Sequence, residues 1–161
     1  MHIIEYYARK QRRVTRSAYA AELQALADAV EIGRLVNLAY TEIHLFKASA
    51  TKLTDMENKG ELYIPLEAVI DAKSVFESLR VPETKPPSES SLIMVLLSLK
   101  EQLKAYIIKT LWWIHTEDML ADGLNKGIIN RQALLTTANT GLWKLSKSTV
   151  KHTEKVHVAL T

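Results

Sequence analysis

Two short apolar runs, 66–70 (LEAVI) and 107–115 (IIKTLWWIH), constrain this chain most. Each is hydrophobic nearly throughout rather than at alternate positions, the pattern of a strand covered on both faces. Each is followed by residues of helical periodicity. His2–Tyr7 (HIIEYY) reads as a third strand, being aromatic and β-branched. Thr15 or Ser17 offers an N-cap for a long helix reaching about Ile43. One apolar row of that helix is Tyr19, Leu23, Leu26 and Val30. A second is Ala25, Ala29, Ile32 and Val36, headed by Glu22 at helical spacing. Two apolar rows predict a central helix, and its alanines a close approach to a sheet.

Further helices are expected over 72–79, from Ser88 through Leu92, Val95, Leu96, Leu99 and Leu103, over 117–126, and from Asn130 to Thr140. The order β-α-β-α-α-β-α-α predicts an α/β fold with parallel strand pairs. Residues 44–63 read as a loop with some local structure. Residues 1–143 read as one domain, and 144–161 as a flexible basic tail carrying Lys144, Lys147, Lys151 and Lys155. Three or four strands make a thin sheet for 161 residues, as if part of it lay elsewhere.

Composition removes several chemistries. With no Cys there is no disulfide, thiolate nucleophile or Cys-based zinc site. The five His follow no metalloprotease spacing. No apolar run reaches the roughly 20 residues of a membrane helix, and no secretory h-region is present, so an intracellular protein without membrane contact is expected. A net charge of +3 permits nucleic-acid binding without implying it.

Three carboxylates stand among apolar neighbours: Glu22, Asp71 and Asp122. Desolvating an acid is costly unless a cation or hydrogen bonds compensate. In α/β sheets, functional groups collect at the carboxyl ends of strands. Asp71 follows one strand directly, and Asp122 lies seven residues past His115, the end of another. Hard oxygen ligands suit Mg²⁺, and two such ions can flank a phosphodiester displacement without a protein nucleophile.

These segments also resemble a family. Arg16-Ser17-Ala18-Tyr19-Ala20-Ala21-Glu22 is similar to the S-T-x-A-E segment of the ribonuclease H domain in Ty1/copia-type retrotransposon polyproteins. Val69-Ile70-Asp71-Ala72-Lys73-Ser74 is similar to its strand-end D-x-K/Q-S/A segment. Ile114 to Lys126 (IHTEDMLADGLNK) resembles its closing A-D-x-L-T-K motif. The resemblance covers roughly residues 2–143. It implies a ribonuclease H fold, a five-stranded mixed sheet flanked by helices. It implies hydrolysis of RNA in RNA–DNA hybrids through two Mg²⁺ or Mn²⁺ ions, beside the reverse transcriptase region of a polyprotein. Glu22, Asp71 and Asp122 match three of the family's four metal-binding carboxylates. Ala18 stands where the family usually has Thr, and Asn125 replaces the Thr of L-T-K. The first-strand catalytic Asp has no counterpart, and His2–Tyr7 resembles the third strand. The resemblance thus implies a truncated domain, lacking its first two strands and inactive unless joined to the upstream polyprotein.

Plainer roles stand beside these. Glu22 can serve the helix dipole, Asp71 can cap the helix after it, and Asp122 can end a helix. Asp118 reads as a cap, and His115 as a satisfied structural histidine. One of Trp112 and Trp113 packs in the core. Arg12, Arg13 and Arg16 are candidate phosphate contacts, or a solvated strand end. An α/β interaction or structural domain without catalysis remains the alternative.

Overall fold

The computed structural model describes residues 17–83, 87, 89–125 and 131–154. The His2–Tyr7 strand, Arg12, Arg13, Arg16, the Ser88 and Asn130 caps, and Lys155 lie outside them. Among the described residues the architecture is mixed α/β, with six α-helices and a three-stranded mixed sheet.

Helix α1 spans Ala18–Leu45, and the Ser17 hydroxyl caps it by accepting from the Ala20 amide at 3.1 Å. Helix α2 spans Ala50–Asn58 and strand β1 Leu66–Ile70. Helices α3 (Lys73–Arg80) and α4 (Ser90–Lys104) follow. Strand β2 is Ile108–Trp113, and a 3-10 turn covers Thr116–Asp118. Helices α5 (Leu120–Asn125) and α6 (Gln132–Thr140) precede strand β3, Val150–His152. Gly141 closes α6 in the left-handed region, at φ 71°.

The sheet order is β1-β2-β3, with β1 and β2 parallel and β3 antiparallel to β2. The β1–β2 register pairs Ala68 with Leu111 and Ile70 with Trp113. Ala68, Ile70, Ile108 and Leu111 join one core with Leu23, Leu26 and Val30 of α1, Val75, Phe76 and Leu79 of α3, and Leu92, Leu96, Leu99 and Leu103 of α4. The two predicted apolar strands therefore sit side by side under three helices.

Helix α1 runs antiparallel to β1. Gly33 meets the start of β1, where an added Cβ would lie 2.8 Å from Leu66 Cδ1. Farther along α1, the Asn37 side chain accepts from the Ile64 amide and donates to the Ile64 carbonyl, and Thr41 accepts from the Tyr63 amide at 3.1 Å. Residues 63–64 thus pair with side chains in place of a strand neighbour, which satisfies backbone groups that would otherwise be orphaned.

Four expectations need correction. Residues 44–63 are not mainly a loop: α1 continues to Leu45, and α2 follows. Ser49 caps α2 and Glu57 anchors it to Arg34, so a hydroxyl and an ion pair carry what apolar spacing does not show. The 117–126 helix is split, because Asp118 turns inward at the end of the 3-10 turn. The second apolar row of α1 is not core: Ala25 and Ala29 are exposed, and Ile32 and Val36 half-buried. The basic tail is not free throughout, since Val150–His152 pairs with β2.

Candidate metal and nucleic-acid site

The antiparallel run of α1 over β1 decides where Glu22 lies. Glu22 precedes Gly33 by about three helical turns, so the two share one stripe of the helix, about 16 Å apart. Gly33 abuts Leu66 at the start of β1. Asp71 lies five residues beyond Leu66, again about 16 Å along an extended chain. The two rises match in opposite chain directions, which brings Glu22 and Asp71 to the same end of the sheet. It is the carboxyl end of the parallel pair, where the Ile114 amide donates to the Ile70 carbonyl at 3.0 Å. The Tyr19 hydroxyl fixes the start of α1 there by donating to Ser78 of α3 at 2.9 Å.

Asp71 sits in the turn between β1 and α3 and is half-buried. It does not cap α3: Ala72 holds that position with no side-chain hydrogen bond. Its carbonyl accepts from Trp113 Nε1 at 2.9 Å, and Lys73 Nζ lies 5.7 Å from the centre of the Trp113 ring. The indole therefore ties the Asp71 backbone to the end of the neighbouring strand. Glu22 is exposed and lies beyond the first turn of α1, so the plain dipole role does not describe it. Asp122 is half-buried in the first turn of α5, on the chain leaving the same end of β2.

Among the described residues, no group of three or more His, Asp or Glu side chains is placed to hold a metal ion. Glu22, Asp71 and Asp122 form no such group, so as they stand they do not fit a two-ion centre. The candidate phosphate contacts Arg12, Arg13 and Arg16 lie outside the described residues.

The best-satisfied acid here is Asp118, 3% exposed. Its carboxylate accepts from the Ser146 hydroxyl at 2.6 Å, the Ser146 amide at 3.0 and 3.1 Å, and the Lys147 amide at 3.0 Å. Burial alone would raise its pKa. The Ser146 hydroxyl, the two amides and the nearby His115 outweigh burial and hold it below the usual range. Its carbonyl also accepts from Trp143 Nε1 at 3.1 Å. His115 is exposed, and its Nδ1 accepts from the Glu117 amide at 3.4 Å, a local structural role.

The sequence does not announce the Trp113 tether or the Asp118 cluster. Trp113 is 42 residues from Asp71, and Ser146 is 28 from Asp118, with no motif linking either pair. No protein family, curated protein or solved structure matches the chain.

Proposed function

We propose that this chain is a ribonuclease H-like domain of Ty1/copia retroelement type. Its ancestral chemistry is metal-dependent hydrolysis of the RNA strand of RNA–DNA hybrids, with Glu22, Asp71 and Asp122 as the acids devoted to Mg²⁺ or Mn²⁺. One observation carries the reading. The helix bearing Glu22 runs back over the strand that precedes Asp71, with Gly33 against Leu66 at the start of that strand, which supports a course of both acids toward its carboxyl end.

Because the three acids do not form a group able to hold a metal ion among the described residues, this chain alone binds hybrid weakly and does not cleave it. Arg12, Arg13 and Arg16 are the proposed phosphate contacts, and the reverse transcriptase region of a polyprotein is the proposed partner.

The test is cleavage of a labelled RNA–DNA hybrid in Mg²⁺ or Mn²⁺, by the chain alone and by a fusion to a reverse transcriptase region of this retroelement type. The expected result is salt-sensitive binding without cleavage for the chain. The fusion should cleave, and Asp71→Asn should lower its rate by at least about 100-fold. A fusion that neither cleaves nor binds hybrid would leave the reading without support and favour an α/β interaction domain.

A further inference from the structure

The C-terminal segment is a strap held at both ends. At one end Asp118 grips Ser146 and Lys147. At the other the Tyr106 hydroxyl donates to the Glu154 carbonyl at 2.8 Å. Between them β3 pairs only three residues with β2. The shortest bond of the first grip runs through one hydroxyl proton. The Ser146 hydroxyl donates it to an acid that is 3% exposed, across 2.6 Å. Ser146 is nonetheless an exposed residue, set between Lys144 and Lys147 in the stretch Lys144-Leu145-Ser146-Lys147-Ser148.

We propose that Ser146 is a phosphorylation site and that its modification releases β3 from the sheet. The modifying enzyme is a protein kinase that selects serine flanked by lysine, with ATP as donor. The Ser146 O–H bond breaks and its proton passes to the kinase's base. A bond forms from Oγ to the γ-phosphorus, and the bond to the β-phosphate bridging oxygen breaks, releasing ADP. The product replaces the donor facing Asp118 with an acceptor-only group carrying roughly −1.5 to −2 charge. Two anions cannot share a contact that one proton now bridges, and the buried partner cannot be rehydrated in place. Lys144 and Lys147 offer the phosphate better company outside. The strap then swings from Tyr106 and uncovers the β2 edge at Leu111, Trp112 and Trp113, including the indole that tethers Asp71. This inference stands on the strap's geometry and is independent of the nuclease reading.

The experiment uses the whole chain. It is incubated with ATP and a basophilic serine kinase, the site is mapped, and amide exchange is read at Val150–His152. The expected result is phosphate on Ser146 and exchange there faster by roughly tenfold or more, with β1 unchanged. Aspartate substitution separates cause from accident. S146D should speed exchange in the same place, S148D should not, and in the D118N background the added effect of S146D should shrink to within about threefold. Absence of phosphate on Ser146, phosphate there with β3 still protected, or equal effects of S146D in both backgrounds would each overturn the proposal.

Discussion

At the scale of the residue, Asp118 is the side chain whose loss should be felt most among the acids. It is buried and takes three donors from Ser146 and Lys147. Hydrogen bonds to a charged group contribute about 1.5–3 kcal/mol. Asp118→Ala should therefore lower stability by about 2–3 kcal/mol at neutral pH, read by urea denaturation. The pH dependence follows from the direction of its pKa. The folded value lies below the unfolded one, so the contribution is fully present above the unfolded pKa. It disappears as pH falls through the depressed folded value. The gap between wild type and Asp118→Ala should thus close in strong acid and stay constant from pH 6 to 8.

At the scale of the element, the molecule shows which signals reach the sequence and which do not. The β1 and β2 strands and helices α1, α3 and α4 were legible because their apolar spacing is also their packing: Leu92, Leu96, Leu99 and Leu103 are all buried. Asp71 was legible as the residue that follows a strand, because β1 ends at Ile70 where its apolar run stops. Helix α2 was not legible, because it is held by a hydroxyl cap and by Glu57, 7% exposed, with Arg34 donating to it at 2.8 Å. A buried acid paired with an arginine from another helix leaves no periodic trace. Nor did β3 announce itself, since the basic run around it looks solvated and its fixing point is Asp118, far back in the chain. The α1–α2 joint gives a sharp expectation. Arg34→Ala leaves Glu57 buried without this partner and should destabilise by about 2–4 kcal/mol. Arg34→Met with Glu57→Leu should recover most of that loss, measured by thermal and urea unfolding of the wild type and the two variants.

At the scale of the whole molecule, burial is uneven. The shared core runs through α1, α3, α4, β1 and β2. Helices α5 and α6 instead pack mainly on each other, with Gly123 against Leu134. Native-state hydrogen exchange should therefore be slowest in β1, β2 and the first half of α1, and faster in α5 and α6, which open without global unfolding. Uniform protection across both regions would contradict that division. No helix among the described residues is long and apolar enough to cross a membrane.

The contact between Gly33 and Leu66 reaches beyond this one chain. A methyl group at position 33 would press on the tip of a leucine, 2.8 Å away, in a side chain able to give. The two positions therefore share one small volume. Across a set of diverging relatives, bulk gained at 33 should be matched by bulk lost at 66, so that the pair drifts together while the seat of the helix on the strand stays fixed.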